Sequence, residues 1–418
     1  MTKFVAKRIQ FRNGERHSVL SRPGGLPVHE ATLYLAKYRK RGRAANTIHA
    51  VCTVLAFLYR ELDAADIDLL KRLRQGQFLT ITELNRLADA AQLRTADLPN
   101  EDMGELVDKK IINIKRIQTR RKSIVKVTSA VSMATQATRL RYMADYLEFL
   151  SAYVGAMLPA STRKELAFES DRALKILLAQ VPRVSKRVKL GAREGLSKTE
   201  QDTLLKIIHP DSPENPWKRD FIRQRNWLII LLLLATGMRR GELLGMQIRD
   251  LDQRLPKLRI IRRADATEDP RITQPNTKTN DREVEVRPAI MRAVWSYINN
   301  HRNKIRTARK YPQLIVAGDG QPLSLKSIDK IFAQIRNACP GLAVTVTSHV
   351  MRHTWNERFS EQAELLGLTD AVEQKARNEQ QGWADNSTSA AVYTGRYASR
   401  KGRELSLKLQ EELDDTSR

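Results

Sequence analysis

An uninterrupted apolar run, WLIILLLLA at 227–235, constrains the fold of this chain more than any other feature. It is too short to cross a bilayer, which takes about 20 apolar residues, so it predicts a helix buried in a protein core. TGMRRGELL follows directly at 236–244, so a core-anchored element carries two arginines. A guanidinium is permanently charged and its paired donors match a phosphate, so a rigidly held arginine suits a phosphodiester. Taken alone, the pattern also describes a surface arginine pair after a helix.

The charge of the chain indicates its kind of partner. Its 418 residues, with room for two or three domains, hold 73 Lys and Arg against 47 Asp and Glu, a net charge of +26. A charge of this size favours a polyanion. An anionic membrane would also fit, but no apolar run reaches transmembrane length and the sequence carries no lipidation signature. We therefore expect nucleic acid as the partner, and no membrane.

Cysteine usage bounds the chemistry further. Cys52 and Cys339 lie far apart in sequence, which argues against a disulfide framework and against a paired-cysteine metal site. They are expected to be packing residues. The first eleven residues lack the apolar core of a secretory signal, so the expected location is cytoplasmic.

The first 181 residues predict an arm followed by a helical domain. Residues 1–27 predict a short basic arm, extended or disordered, because they end in the breaker cluster SRPGG. Helical periodicity begins at residue 28, and residues 28–181 predict an all-helical domain. Its helices are expected at 29–40, at 46–62 with Asn46 as the cap, at 82–93 with Thr82 as the cap, and at 138–154.

Two basic segments are candidates for contact with a polyanion. Residues 109–126 hold eight basic residues and no acid, which describes either a solvated helix face or a phosphate-contacting segment. Residues 182–195 combine a proline, glycines and basic residues with little periodicity, which predicts a linker that straps across a nucleic acid. The candidate contacts are Lys115, Arg116, Arg120, Arg121, Arg183, Lys186, Arg187 and Lys189.

Residues 196–397 predict a second domain that mixes helices with a small sheet. Ser197 is expected to cap a helix over 198–208, with Glu200 at the capping-box position. Alternating residues at 258–262 and 283–286 predict two short strands around a polar turn that contains Lys278. Further helices are expected at 288–301 and 327–338. The expected fold class is mainly α with a small β-sheet.

Several residues in this domain carry chemistry. His349 and Arg352 lie three residues apart, hence on one face of a helix, where they combine proton exchange near neutral pH with a phosphate clamp. His353 is a competing imidazole. Lys278 also fits ordinary turn chemistry, and Trp383 and Tyr393 also fit a hydrophobic core.

The order of these features resembles the catalytic domain of the tyrosine recombinases, the phage-integrase family. The resemblance runs over residues 196–397: an arginine in TGMRRGELL, a lysine in a β-turn, an HxxR pair, a Gly-Trp pair and a tyrosine. ANTIHAVCTVLAFL at 45–58 also resembles the opening of the family's core-binding domain, which implies that residues 28–181 bind core DNA. The implied catalytic residues are Arg239, Lys278, His349, Arg352, Trp383 and Tyr393 as the nucleophile.

The chain departs from the family pattern at three places. The interval from Arg352 to Trp383 is long, which places an insertion around residues 361–381. The spacing from Trp383 to Tyr393 is one residue longer than usual, which makes Tyr397 a rival nucleophile. The amino-terminal region is larger than in compact members, and residues 65–130 stay unassigned.

The resemblance implies strand cleavage without metal, cofactor or ATP. Tyr393 would attack a backbone phosphate, form a 3′-phosphotyrosyl link and free a 5′-hydroxyl, which preserves the bond energy for rejoining. Arg239 and Arg352 would hold the non-bridging oxygens, Lys278 would protonate the leaving oxygen, His349 would assist proton transfer, and Trp383 would donate its indole N–H. Glu242 is expected to be a buried partner that orients an arginine or His349. Asp250 and Asp252 are expected to be structural.

The resemblance also implies partners. We expect double-stranded DNA, a homotetramer on paired recombination sites, and accessory DNA-bending proteins or sister recombinases. The leucines of RELSLKLQEEL at 403–413, in an expected carboxy-terminal helix at 398–418, either pack on their own domain or dock on a neighbouring protomer. A mobile-element integrase or transposon recombinase is favoured over a resolvase. A type IB topoisomerase and a non-catalytic DNA-binding regulator remain alternatives.

Overall fold

The computed structural model of the chain describes residues 4–93, 130–183, 195–275, 277–342, 345–385, 387 and 389–416. The chain divides into two compact units, one of Met1–Phe11 with Arg16–Arg187, the other of Arg12–Glu15 with Val188–Arg418. Within the described residues both units are mainly helical, and each holds one two-stranded antiparallel sheet. The expected fold class is confirmed.

The first unit begins with a β-hairpin where an extended or disordered arm was expected. Strand β1 (Val5–Gln10) pairs antiparallel with β2 (Arg16–Ser21), from Val5 opposite Ser21 to Gln10 opposite Arg16. Every second residue of β2 is buried, and the side chain of Leu20 is fully covered. This alternation is the period of a half-buried strand, and it places one face of β2 against the core.

Six helices in the described ranges build the core of the first unit. They are α1 (His29–Lys40), α2 (Ala45–Ala64), α3 (Leu69–Arg74), α4 (Ile81–Ala90), α5 (Met133–Gly155) and α6 (Ala160–Ala179). The helix predicted at 29–40 is confirmed to the residue, and those at 46–62, 82–93 and 138–154 are confirmed with shifted ends. These predictions hold because apolar residues at steps of three and four lie on one face of a helix. In α2 that face is the core face, where Ile48, Val51, Leu55 and Leu58 are fully buried.

Both predicted caps in this unit are wrong. Helix α2 follows Ala44, and no side chain caps it. Helix α4 follows Thr80, whose hydroxyl accepts from the Glu83 N–H while the Glu83 carboxylate accepts from the Thr80 N–H. This reciprocal capping box satisfies two terminal donors, which the expected cap at Thr82 could not do with the same glutamate.

Most of the predicted DNA contacts lie outside the described residues. Arg183 is described and exposed. The others are Lys115, Arg116, Arg120, Arg121, Lys186, Arg187 and Lys189, and they stay predictions.

The second unit contains the candidate catalytic residues. Its helices in the described ranges are α7 (Lys198–Ile207), α8 (Asp220–Thr236), α9 (Arg240–Gly245), α10 (Pro288–Asn300), α11 (Leu325–Ala338), α12 (Ser348–Leu365), α13 (Asp370–Gln381) and α14 (Ser389–Thr416). Short 3₁₀ turns span Ile248–Asp250, Arg302–Lys304 and Arg306–Lys310. Strand β3 (Lys257–Ile260) pairs antiparallel with β4 (Arg282–Glu285).

The local predictions for this unit are confirmed where short-range chemistry determines them. Ser197 caps α7, with Glu200 completing the capping box. The apolar run at 227–235 lies within α8, where Leu228, Ile229 and Leu232 are fully buried. The helix predicted at 327–338 starts two residues earlier, capped by Ser324.

The end of the chain differs from the expectation at one boundary. The segment 361–381, where an insertion was predicted, includes the last turn of α12 and the whole of α13, and the insertion itself stays a prediction. The expected boundary at 398 is absent from the described chain, because α14 runs without a break from Ser389 to Thr416. Tyr393 and the leucine-bearing tail therefore share one helix.

Among the described residues, no helix combines the length and apolar character that crossing a bilayer requires.

Candidate active site

The turn between α8 and α9 presents the first candidate arginine. Gly237 ends α8 with φ +62°, and a Cβ there would lie 2.7 Å from a ring carbon of Trp355, so both backbone and space require glycine. Arg239 precedes α9 as its N-cap residue, and its side chain is 32% exposed. One face of its guanidinium is thus held by protein while the remainder faces solvent.

Glu242 lies at the centre of the polar network beside this turn. Its carboxylate accepts from the Arg239 N–H at 3.0 Å, the Thr279 hydroxyl at 2.8 Å, Arg282 Nη2 at 2.8 Å and, more weakly, Arg239 Nη1 at 3.3 Å. Burial alone raises the pKa of Glu242, but the Arg282 charge and these hydrogen bonds together lower it below its usual value. Glu242 is therefore a buried carboxylate that orients arginines, as the sequence predicted.

The loop between β3 and β4 carries Lys278. The Lys278 side chain is exposed, whereas Thr277 and Thr279 on either side are buried. The Thr279 hydroxyl donates to Glu242, the carboxylate that also accepts from Arg239. This hydrogen bond fixes the backbone next to Lys278 close to Glu242.

Two ion pairs anchor the same loop. Arg263 pairs with Asp250, which is buried and also accepts from the Gln247 N–H at 2.8 Å. Arg271 pairs with Asp269 and donates to the Leu244 carbonyl, at the end of α9, at 3.0 Å. The structural role predicted for Asp250 is confirmed. Asp252 is also structural, since it accepts from the Arg254 and Leu255 N–H groups in a turn.

Helix α12 carries the predicted HxxR pair. Arg352 is 3% exposed, and its Nη1 donates to the Gly237 carbonyl at 2.7 Å. Its Nη2 is buried and has no hydrogen-bond partner among the residues that the structure describes. Burial lowers the pKa of Arg352 to about 10, and the nearby Arg239 charge acts in the same direction, so the guanidinium stays charged at neutral pH.

The two histidines of α12 differ in exposure. His349 is exposed and His353 is buried, and their ring centroids lie 4.2 Å apart in an edge-to-face contact. The His353 ring lies 5.4 Å from the ring of Tyr393. An exposed imidazole is thereby connected through a buried one to the candidate nucleophile.

Trp383 and Tyr393 are stacked. Their ring centroids lie 5.8 Å apart with an interplanar angle of 11°, and both residues are buried. The Arg352 guanidinium carbon lies 5.1 Å from the centroid of the Trp383 ring. The indole Nε1 of Trp383 is buried without a hydrogen-bond partner in the described part of the chain.

Gly382 sets the position of Trp383. It ends α13 with φ +62°, its carbonyl accepts from the Asn280 N–H at 2.9 Å, and a Cβ would lie 2.8 Å from the Asn280 carbonyl oxygen. The Gly-Trp pair is therefore attached directly to the loop that carries Lys278.

The rival nucleophile, Tyr397, has a different environment. Its hydroxyl donates to Glu364, and Arg400 and Lys401 lie over its ring. Burial and the Glu364 hydrogen bond both raise the pKa of Tyr397. Glu364 follows Arg352 by twelve residues on α12, which is about 18 Å along a helix axis. Tyr397 is thus bound to a part of α12 remote from the arginines.

The structure brings Arg239, Arg352, Trp383 and Tyr393 into one contiguous group through α8, α9, α12 and α14. Lys278 and His349 join this group through Thr279 and His353, and both expose their side chains. Sequence reasoning missed Arg282, which donates to Glu242 and, through Nε, to the Gln380 carbonyl at 2.8 Å. It also missed Arg377, buried on α13. The sequence signal for Arg377 is its spacing from Glu373, because an acid and a base four residues apart can pair on a helix.

A family comparison matches the part of the chain that holds this site. Residues 195–398 match the model of the phage integrase family. Tyrosine recombinase XerD from Halalkalibacterium halodurans is 24% identical over 231 residues, which make up 55% of this chain and 64% of that protein. The match thus spans less than two thirds of that relative.

Solved structures with some similarity to this chain include three recombinases. XerA recombinase is 19% identical, covers 62% of this chain and 76% of that chain, and has a TM-score of 0.35. XerH site-specific recombinase bound to difH substrate is 15% identical, with coverages of 78% and 93% and a TM-score of 0.39. The Tn1549 transposon integrase in complex with transposon right end DNA is 17% identical, with coverages of 71% and 95% and a TM-score of 0.37.

These TM-scores lie below 0.5, so the assignment rests on the family model and on the order of the motifs. All six predicted catalytic positions lie within the matched residues. Residues 195–398 of this chain therefore form a domain that matches the phage integrase family, the tyrosine recombinases.

Proposed function

We propose that this protein is a site-specific DNA recombinase that cuts and rejoins strands through a 3′-phosphotyrosyl bond at Tyr393. One observation carries the proposal. Arg352 Nη2 and Trp383 Nε1 are both buried N–H donors without partners among the described residues, and their side chains are in contact beside Tyr393.

Unpaired buried donors are costly to a fold. Each costs about 1–3 kcal/mol when no acceptor is present, and a charged donor costs more. Two such groups side by side favour a ligand that brings anionic acceptors. A backbone phosphate has two non-bridging oxygens, which suit the Arg352 guanidinium and the Trp383 indole, and the half-exposed Arg239 adds a second cation.

The proposed reaction uses each of these residues. The Tyr393 phenol passes its proton to His349, and its oxygen forms a bond to phosphorus. The bond to the 5′-oxygen breaks at the same time, and Lys278 supplies a proton to that oxygen. Arg239 and Arg352 stabilise the charge that gathers on the non-bridging oxygens, and Glu242 keeps Arg239 in place. Because one phosphoester replaces another, a different 5′-hydroxyl can reverse the step without ATP.

Tyr393 is favoured over Tyr397 by its surroundings. The Tyr393 ring contacts Trp383 and His353, and the Trp383 ring in turn contacts the Arg352 guanidinium. The Tyr397 hydroxyl is already bonded to Glu364.

Partners and role are proposed on the same basis. We expect double-stranded DNA, a homotetramer on paired sites, and accessory DNA-bending proteins or sister recombinases, acting in the cytoplasm on a mobile element. The net charge of +26 supports a polyanionic substrate. The name of the Tn1549 transposon integrase complex supports the mobile-element context.

The test is trapping of a covalent adduct on a nicked duplex made from the DNA that flanks the element. Wild type, Tyr393→Phe and Tyr397→Phe are compared on a denaturing gel, and the linked peptide is mapped. We expect adduct from wild type and Tyr397→Phe, and none from Tyr393→Phe. An adduct that maps to Tyr397 would move the nucleophile. Relaxation of a supercoiled plasmid without a recombination site would instead favour a topoisomerase.

A further inference from the structure

Helix α13 holds a charged residue that the proposed chemistry does not use. Arg377 is 0% exposed, although it lies in the segment where the sequence predicted an insertion. It forms an ion pair with Glu373, one turn earlier on the same helix. A fully buried arginine is uncommon, and its contacts indicate what it holds in place.

The Arg377 guanidinium reaches across to α12. Its Nη2 donates to the Ser360 hydroxyl at 2.6 Å, and its Nη1 donates to the Asn356 carbonyl at 3.0 Å. The Ser360 hydroxyl in turn donates to Glu373 at 2.7 Å. The Asn356 side chain donates to the Arg352 carbonyl at 2.8 Å. The ion pair of Arg377 and Glu373 therefore joins α13 to the turn of α12 that directly follows Arg352.

The same guanidinium lies beside the candidate nucleophile. Its carbon is 6.0 Å from the centroid of the Tyr393 ring and 5.0 Å from the centroid of the Phe359 ring. Helix α13 also holds Trp383, because the Trp383 N–H donates to the Asn378 carbonyl at 2.8 Å. The Tyr393 ring is thus contacted by two groups, Trp383 and Arg377, that α13 keeps in place.

Stability alone is a weak reason for this arrangement. Replacing a buried ion pair with apolar side chains of similar volume is often neutral or stabilising, because two charges must leave water. A retained guanidinium beside a phenol that gives up its proton has a further use, since a positive charge favours the negative oxygen that develops. Its fixed hydrogen bonds also keep the ring in one position before any substrate binds.

We infer that Arg377 is a positioning residue for the strand-cleavage step, which holds the Tyr393 ring against Trp383 through its attachment to α12. The inference rests on the proposed function, because it assigns a partner to the proposed nucleophile.

The test separates DNA binding from cleavage. The double variant Arg377→Met with Glu373→Gln removes both charges at similar volume and leaves no unpaired acid. Arg377→Lys keeps the positive charge. Arg225→Met is the matched control, because Arg225 is also buried in this unit but contacts Asn226 and the Val316 carbonyl.

Three quantities are measured for each variant: the dissociation constant for the flanking duplex, the single-turnover rate of adduct formation at saturating protein, and amide hydrogen exchange of residues 389–397. For the double variant we expect a dissociation constant within about threefold of wild type and a cleavage rate about 10- to 100-fold lower, the effect of a displaced reacting group. Exchange at 389–397 should be faster, and Arg377→Lys should recover much of the rate. Arg225→Met should cleave at the wild-type rate per folded molecule.

The inference is overturned if the double variant cleaves at the wild-type rate, or if it slows no more than Arg225→Met. Equal losses of DNA binding and cleavage would also overturn it, since they indicate a general structural role. Wild-type protein that forms no adduct would overturn the proposed function, and this inference with it. That outcome is distinguishable because it does not depend on position 377.

Discussion

At the residue scale, Glu242 does most to organise the candidate site. A single buried carboxylate accepts from two arginines, one threonine and one backbone N–H, and these donors come from the turn before α9, from β4 and from the loop that carries Lys278. A carboxylate can accept about four hydrogen bonds, so the acceptor capacity of Glu242 is filled. The orientation of the Arg239 side chain and the position of the loop that carries Lys278 both depend on Glu242.

Glu242→Gln tests this role. The amide keeps the shape but leaves Arg282 buried without a counter-charge, and breaking a buried pair in this way costs about 3 kcal/mol. We expect the free energy of unfolding in urea to fall by about that amount, with slower adduct formation. Glu268→Gln is the control, because Glu268 pairs with Arg249 at the surface and should cost less than about 1 kcal/mol. Equal losses in the two variants would contradict the assignment.

The pH dependence of stability gives a second test of the contribution that the Glu242 carboxylate makes to folding. The pKa of its carboxyl is lower in the folded protein than the ordinary value of 4.5. Its contribution is therefore complete above pH 4.5 and is lost as the pH falls through the lower folded value. Urea unfolding of wild type and Glu242→Gln from pH 7 to pH 3 should show a difference that is constant above pH 4.5 and shrinks below it. A difference that widened in acid would contradict this reading.

At the element scale, the ends of helices decide where the site residues lie. Helix α8 ends at Gly237, whose carbonyl holds Arg352, and α13 ends at Gly382, next to Trp383. Both glycines have positive φ and both are crowded where a Cβ would be. These two helix ends bring α12, α13 and the Lys278 loop together.

Gly382→Ala tests the second helix end against a matched control. Gly367 also has positive φ, at +65°, but no atom lies within 4 Å of the position a Cβ would take. Gly367→Ala should therefore cost only the backbone strain, about 1–2 kcal/mol. Gly382→Ala should cost more and also slow cleavage, because the Asn280 carbonyl must move. Thermal unfolding and adduct formation check this, and identical effects of the two changes would refute it.

At the scale of the whole molecule, the stretch of α14 from 402 to 411 is exposed. Every described side chain from 402 to 411 is exposed, including Leu405, Leu407 and Leu409, at 62%, 59% and 63%. Packing of these leucines on their own domain is therefore not what the described residues show. Exposed leucines on a continuous helix favour the docking on a neighbouring protomer that the sequence suggested.

Deletion of residues 403–418 tests the docking. Because the described part of this segment buries little, the free energy of unfolding should change by less than about 0.5 kcal/mol. Adduct formation on an isolated half-site should persist, whereas the four-protein complex on paired sites should be lost in a native gel. Unchanged assembly would show that the tail does not dock.

The charge of the whole chain predicts how DNA binding responds to salt. Each neutralised phosphate contributes a slope of about −0.9 in a plot of log affinity against log salt concentration. With a net charge of +26, we expect six or more such contacts and a loss of about 10³-fold or more between 50 and 200 mM salt. Fluorescence anisotropy on the flanking duplex measures the slope, and a slope near zero would exclude an electrostatic interface of this size.

Much of the fold could be read from local patterns. Helix α1, the α7 capping box of Ser197 and Glu200 and the buried α8 depend on residues within a few positions of one another. Strands β3 and β4 are each short enough to be predicted from their own residues. Their periodicity and short hydrogen bonds are visible in the sequence. The cap at Thr82 failed because Thr80 forms the capping box with Glu83 instead. The cap at Asn46 failed because α2 begins one residue earlier, after Ala44, without a side-chain cap.

The sequence by itself determined the family, the order of the candidate catalytic residues and the buried helix that supports the first arginine. Tertiary structure alone decided which groups meet. Arg282 lies 40 positions from the Glu242 that it holds, and Arg377 meets Tyr393 only because α13 folds back on α12. The preference for Tyr393 over Tyr397 has the same origin, since one faces Trp383 and the other Glu364. Contacts between distant residues depend on packing, which no local pattern encodes.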